Sequence, residues 1–108
     1  YIDRMRPLSE ELMEERRAMG AGGLVSLWVS LRGGRLREYP DVASWGVFED
    51  AQRRRIERKL SEHVRGRLKS RRFDSLEEAE DAAIEAARRF LMHNHRRRPL
   101  ITADADGE

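Results

Sequence analysis

Apolar and polar residues alternate over residues 23–32, GLVSLWVSLR, with the period of a half-buried β-strand. One face of this segment is apolar and consists of Val25, Leu27, Val29 and Leu31. Gly33 and Gly34 follow directly, and a two-glycine loop suits the positive φ angles of a tight hairpin. The pattern therefore predicts that RLREYP returns antiparallel to this strand, and that Pro40 ends the pairing.

Two later segments have the spacing of amphipathic helices. In residues 51–70 a narrow apolar stripe recurs every four residues, at Ile56, Leu60, Val64 and Leu68. Residues 73–95 begin with a capping box made by Ser75 and Glu78. The expected buried face of this second helix is Leu76, Ala79, Ala83, Ala87, Phe90 and Leu91.

The remaining segments complete a single domain over residues 1–108. Residues 1–22 are expected to form a short N-terminal helix or a linker. DVASWGVF predicts a further strand with a kink at Gly46, and PLITA predicts a short final strand that opens at Pro99. The acidic end, residues 104–108, is expected to fray. The predicted fold class is α+β, a small sheet of about three strands packed by two helices.

Charge is unevenly distributed along a chain whose net charge is small. Charged residues make up 39% of the chain and the formal net charge is +2, so the overall charge does not identify a nucleic-acid binder. Between residues 51 and 72, however, ten basic residues accompany two acidic ones, whereas residues 73–87 contain six acids and no base. The positive and negative charges are therefore segregated.

Two arginine clusters are the candidate contacts to RNA phosphates, Arg53, Arg54 and Arg55 in the first and Arg96, Arg97 and Arg98 in the second. The second cluster has an alternative interpretation as solvated residues that complement the dipole of the preceding helix, and the first, with its extension through Lys59, is the more plausible electrostatic footprint. No surface aromatic residues are interleaved with these cations to stack bases. We therefore expect any RNA binding to be weak and without sequence preference.

His93 and His95 are the candidate metal ligands in the sequence. A His-x-His pair followed by Asp-His is typical of two-metal hydrolases, but here Arg96 and two further arginines follow. A stable site needs three or four donors, and the remaining histidine, His63, has no partner fixed by the sequence. We expect no metal ligand and no catalytic residue on this chain, and HNHRRRPLI is interpreted as a helix-to-strand junction.

Trp28 and Trp45 are the two largest apolar side chains. Trp28 shares its strand face with serines and Arg32, so it either covers the second face of the sheet within the chain or anchors an interface. Both tryptophans are candidate interface residues.

The chain contains no cysteine and no apolar run of the length that crosses a bilayer. We expect a cytoplasmic domain without a membrane partner. It begins at Tyr1 rather than with methionine, which predicts a piece of a longer protein.

Three stretches together resemble the C-terminal domain of bacterial ribonuclease J, a metallo-β-lactamase and β-CASP ribonuclease. They are LSEELMEERRAMGAGGLVSLWVSL, PDVASWGVF and RRFLMHNHRRRPLI. Trp45 stands where the family usually has arginine, the connection from Phe48 to the following helix is short, and the acidic DADGE replaces an apolar end of the last strand.

The resemblance implies an appendage to a catalytic core that degrades RNA from the 5′ end and also cuts internally. That core would hold zinc or manganese on residues absent from this chain. The resemblance also implies a homodimer, with this domain supporting dimerisation and activity, and the rest of the parent ribonuclease as a partner. Two alternatives remain open at this point: an independent basic RNA-binding domain, and a protein-interaction module unrelated to RNA.

Overall fold

Strand β1 lies at the centre of a four-stranded sheet and pairs with each of the other strands. The structure, a computed structural model, describes residues 22–107. Its strands are β1 (Leu24–Arg32), β2 (Arg35–Leu36), β3 (Asp41–Trp45) and β4 (Leu100–Gly107). β2 and β3 run antiparallel to β1, and β4 runs parallel to it. Because β4 occupies one edge of β1 along most of its length, β2 and β3 share the other edge, and the sheet is three strands wide.

The predicted hairpin is present. Gly33 and Gly34 have φ angles of 60° and 80°, which a turn of this kind requires at both positions. Pairing with β1 is interrupted before Pro40 and then resumes in β3, where Trp28 pairs with Asp41. The sequence predicted that Pro40 would end the pairing. Instead it lies in a break between two paired segments, where its missing N–H removes no hydrogen bond from the sheet.

Two helices follow the sheet's first three strands, α1 (Asp50–Leu68) and α2 (Leu76–Asn94). The buried residues of α1 are the predicted stripe, Ile56, Leu60, Val64 and Leu68. Those of α2 are Ala79, Ala83, Ala86, Ala87, Phe90 and Leu91. Leu76 was predicted to be buried but is 44% exposed, because it is the first residue of α2 and lies at the rim of the core. Within residues 22–107 neither helix is long and apolar enough to span a membrane.

The start of α2 is capped as predicted. The backbone N–H of Glu78 donates to the hydroxyl of Ser75 at 3.1 Å. The carboxylate of Glu78 accepts from the backbone N–H of Asp74 at 3.4 Å. These bonds satisfy donors that a helix leaves free in its first turn.

Both helices pack on the face of the sheet that carries the alternating apolar residues of β1. Val25, Leu27, Val29 and Leu31 are at most 4% exposed and belong to one core cluster with the buried residues of α1 and α2. Burying one side chain of this size contributes about 1.5–3 kcal/mol. The small alanines of α2 allow its backbone to approach the sheet closely. The predicted α+β fold, two helices on a small sheet, is therefore confirmed, while the helix predicted within residues 1–22 lies outside the described residues.

The end of the chain differs from the prediction. Residues 104–108 were expected to fray, but β4 continues to Gly107, which pairs with Leu31. The reason is that inward-facing and outward-facing residues alternate along this acidic segment. Ala105 is buried in the core at 5% exposure, whereas Asp104 and Asp106 lie on the opposite face of the sheet, as the two-residue period of a strand requires.

Candidate functional site

The solvent-facing side of α1 is strongly cationic. Its exposed or half-buried basic residues are Arg53, Arg54, Arg55, Arg58, Lys59, Arg65 and Arg67, against the acids Asp50, Glu57 and Glu62. The burial of the apolar stripe directs these positions outward, because residues three or four apart share one side of a helix. A row of cations on one helix face is the electrostatic pattern expected of a surface that contacts phosphates.

Arg53, Arg54 and Arg55 do not act as one cluster, because successive side chains of an α-helix point about 100° apart. Arg53 is half-buried beside the apolar stripe, and its Nε is buried with no hydrogen-bond partner among the described residues. Arg54 lines a groove between α1 and β3. Arg55 is exposed on the other flank of the helix, one turn before Lys59. Only the second and third of these arginines are thus available at the surface.

The arginines of the second cluster lie in the junction between α2 and β4. Backbone N–H groups of His95 and Arg97 both donate to the carbonyl of Leu91, at 3.0 and 3.2 Å. Arg96 between them has a φ of 50°, a left-handed conformation that costs a residue with a side chain roughly 1–2 kcal/mol. This turn leaves the side chains of Arg96, Arg97 and Arg98 exposed.

His95 connects the two cationic regions. Its pKa is lowered from 6.5 by burial first, and then by the cations of Arg97 and Lys59. The ring of His95 also packs against Phe48, which lies just before α1, so the junction lies next to α1 and the charges of Lys59 and Arg97 both act on this imidazole. We call Arg55, Lys59, His95 and Arg97 the junction patch. Arg97 belongs to the second predicted cluster, and Arg55 of the first is included because it is exposed one turn before Lys59 on α1, whereas Arg53 and Arg54 point to other sides of that helix.

The imidazole of His95 packs against aromatic rings. Its ring centroid lies 5.6 Å from that of Phe48 and 5.5 Å from that of Phe90. His63 approaches Phe90 from another side, at 5.3 Å, and its pKa is also lowered from 6.5, by burial and then by the charge of Arg67. Both imidazoles are therefore neutral at neutral pH and pack as uncharged rings.

His93 and His95 do not converge on a ligand. His93 is exposed, whereas His95 is held between Phe48 and Phe90. Among residues 22–107, no group of three or more histidine, aspartate or glutamate side chains is placed to hold a metal ion.

Tyr39 is a surface aromatic residue that was not predicted from the sequence. It is 54% exposed, and the guanidinium of Arg65 lies 4.5 Å from its ring centroid. Its groove, about 430 Å³ in volume, also contains Arg54 and Arg58, together with the carboxylates of Asp41, Glu57 and Glu62. This mixture of charges favours phosphate less than the junction patch does. Its sequence signal was its position next to Pro40, at the end of the segment predicted to return antiparallel to β1.

Trp28 and Trp45 lie on the face of the sheet opposite α1 and α2. Trp28 pairs with Asp41 of β3 and Asp104 of β4, and Trp45 pairs with Leu24 of β1. Both tryptophans are half-buried. The core cluster includes none of these residues, so this second face, which we define by Leu24, Trp28, Trp45, Leu100 and Asp104, is separate from the helix-covered one, although Leu24 within it is only 1% exposed.

Comparison with known proteins gives one family match. Residues 11–105 match the family described as "Ribonuclease J C-terminal domain". A search of curated proteins returned no match. The matched range contains all of β1, β2, β3, α1 and α2 and most of β4.

Proposed function

Because the chain belongs to the ribonuclease J C-terminal domain family, we propose that it supports RNA degradation by a catalytic core located elsewhere in a ribonuclease J-like enzyme. The zinc or manganese ions of the reaction would be held by that core. The observation that carries the proposal is the family match over residues 11–105. The cationic face of α1 and the separate second face of the sheet are the surfaces through which the domain would act on RNA and on a second copy of the enzyme.

The first contribution is contact with RNA backbone near the core. Lys59 and Arg97 come from distant positions in the sequence and yet their charges both act on the imidazole of His95, so a phosphate placed there would be attracted by both. Arg55 extends the cationic surface along α1. No exposed aromatic ring in residues 22–107 belongs to this patch. Contacts of this kind position a nucleic acid and do not read its bases.

A salt titration of RNA binding tests this contribution. Fluorescence anisotropy would follow a labelled single-stranded RNA as the salt concentration is raised. Each phosphate contact contributes about 0.7 to the slope of log K against log salt for single strands, so the double variant Arg55→Ala, Lys59→Ala should lower that slope by about 1.4.

The matched control is the double variant Arg32→Ala, Arg35→Ala. It removes the same charge from two exposed, paired residues on either side of the hairpin turn, Arg32 of β1 and Arg35 of β2, and it should leave the slope nearly unchanged. An equal reduction by both variants would show that RNA responds only to net charge, and would remove the junction patch from the proposal.

The second contribution is assembly of the parent enzyme through the second face. Trp28 is half-buried there, outside the core cluster. Large aromatic side chains commonly provide much of the energy of an interface, and a symmetric pair would use the same residues twice. We therefore propose that the partner of this face is a second copy of the enzyme.

Sedimentation velocity of the parent with Trp28→Ala tests the assembly. The expected result is a folded protein that sediments as a smaller species than the wild type. Tyr39→Ala, which removes an exposed aromatic side chain away from the second face, is the control and should leave the species unchanged. A variant that fails to fold at every concentration would show that Trp28 is a core residue, and a monomeric wild type would contradict the assembly outright.

A further inference from the structure

The outer edge of β4 adjoins a cleft of which the proposed roles use only Arg97. The cleft has a volume of about 340 Å³ and is lined by Arg88, Met92, Arg97, Arg98, Pro99 and Ile101. Three of these residues are cations and three are apolar. Arg97 is shared with the junction patch. Of the other residues, Arg88 and Met92 belong to α2, Arg98 and Pro99 to the junction, and Ile101 to β4.

The backbone of β4 has hydrogen-bonding groups directed at this cleft. Leu100 donates its N–H to the carbonyl of Gly23 at 2.9 Å, so its backbone faces the interior of the sheet. Because neighbouring residues of a strand face opposite edges, Ile101 and Ala103 direct their N–H and C=O groups outward. Among residues 22–107, no strand pairs with this edge.

The two ends of the outward edge are closed. The N–H of Ala105 donates to the carboxylate of Glu80 in α2 at 2.9 Å, and Pro99 has no N–H. Protection of this kind is common on edge strands, because an unprotected edge pairs with other chains. Between these two ends, the outward groups of Ile101 adjoin the cleft, which Ile101 lines, and those of Ala103 continue the same edge of the strand beyond it. The available edge is therefore short and lies next to an apolar surface and three guanidinium groups.

We propose that this edge and cleft bind an extended acidic segment of a partner protein by β-strand addition. The backbone of the segment would pair with Ile101 and Ala103. An apolar side chain of the segment would contact Met92 and Ile101, and neighbouring carboxylates would meet Arg97 and Arg98. Strand addition obtains affinity from backbone hydrogen bonds and specificity from pockets for alternate side chains.

The position of α2 favours an isolated segment over a folded domain. α2 packs directly on β4, and Glu80 reaches from α2 to the outer edge of the strand. A second copy of this sheet that paired edge to edge would bring a second α2 into the same space. A single extended chain has no such helix. RNA is a weaker fit, because a sugar-phosphate backbone has no peptide N–H and C=O groups to pair with the edge of the strand.

Fluorescence anisotropy with a short labelled peptide that alternates valine and glutamate tests the proposal. The chain should bind this peptide and should not bind a peptide that alternates valine and lysine. Ala103→Pro removes the outward N–H at a position where proline is tolerated on an edge strand, and should weaken binding about tenfold or more. Ala103→Ser is the matched control and should retain binding.

A second pair of variants keeps the test independent of any effect of proline on folding. Arg98→Glu reverses one exposed charge in the cleft and should weaken binding, whereas Arg54→Glu makes the same change in the groove on the other side of the molecule and should not. Equal affinity of the wild type, Ala103→Pro and Arg98→Glu would overturn the proposal. Displacement of the peptide by single-stranded RNA, with loss of RNA binding in Arg98→Glu, would assign the cleft to RNA instead.

Discussion

The second glycine of the hairpin should be far less tolerant of substitution than the first. Gly33 and Gly34 both have positive φ angles, so alanine at either position is strained by about 1–2 kcal/mol. Part of this strain is offset, because alanine restricts the unfolded chain by about 0.4–1 kcal/mol. A Cβ added to Gly33 meets nothing within 4 Å. We therefore expect Gly33→Ala to destabilise the domain by about 1 kcal/mol.

At Gly34 the same change has a second consequence. Its Cβ would lie 2.7 Å from the carbonyl oxygen of Phe73, and the carbonyl of Gly34 accepts a hydrogen bond from the N–H of Phe73 at 2.7 Å. Phe73 is only 4% exposed, so the backbone cannot move away without disturbing the core. Weakening that bond and displacing the ring add about 2 kcal/mol. The expected total for Gly34→Ala is about 3 kcal/mol.

Urea unfolding followed by tryptophan fluorescence measures the difference between these two variants. With a denaturant slope of about 1–3 kcal/mol per molar for a small domain, a difference of about 2 kcal/mol separates the two midpoints by roughly 1 M. Equal midpoints would refute the reasoning, because they would show that the contact between the hairpin and the segment after α1 does not constrain Gly34.

Three further predictions concern the histidines, the junction and a buried hydroxyl. The pKa values of His63 and His95 are lowered in the folded state, so as the pH falls the unfolded chain takes up protons at a higher pH than the folded chain does. The free energy of unfolding should therefore decrease as the pH drops below 6.5. A melting temperature that stays constant in this range would contradict the prediction. Arg96→Gly should stabilise the domain by up to about 1 kcal/mol, because glycine adopts a positive φ without strain, and a lower urea midpoint for this variant would show that the arginine side chain makes a compensating contact. Ser44→Ala should destabilise the domain by about 1–2 kcal/mol, since the buried hydroxyl donates to the carboxylate of Glu57 at 2.6 Å; an unchanged thermal midpoint would mean that water replaces the hydroxyl.

The secondary structure was largely predictable because its signals are local. The alternation in β1, the two glycines of the turn and the four-residue stripe of α1 each specify one element without reference to the rest of the chain. The end of β4 was not predicted, because no local signal marks it as a strand. Its small and acidic residues suggest a frayed tail, and only pairing with β1 and burial of Ala105 make it a strand.

The candidate site was predictable only in part. Arg53, Arg54 and Arg55 are adjacent in sequence, but the helix directs them to different environments. Lys59 and Arg97 are far apart in sequence, yet the charges of both act on His95, whose ring packs against Phe48 before α1 and Phe90 of α2. No local pattern contains that information. The resemblance to the ribonuclease J C-terminal domain, by contrast, depended on the order of three stretches, and the family match over residues 11–105 confirms it.

Activity and sedimentation of the parent enzyme, measured with and without residues 22–107, test the proposed supporting role most directly. At equal concentrations of the catalytic core, removal of the domain should slow RNA cleavage and reduce the size of the sedimenting species. The RNA concentration needed for half-maximal rate should also rise, because the phosphate contacts of the junction patch are lost. A truncated enzyme with unchanged cleavage rate, unchanged RNA dependence and unchanged sedimentation would contradict the account.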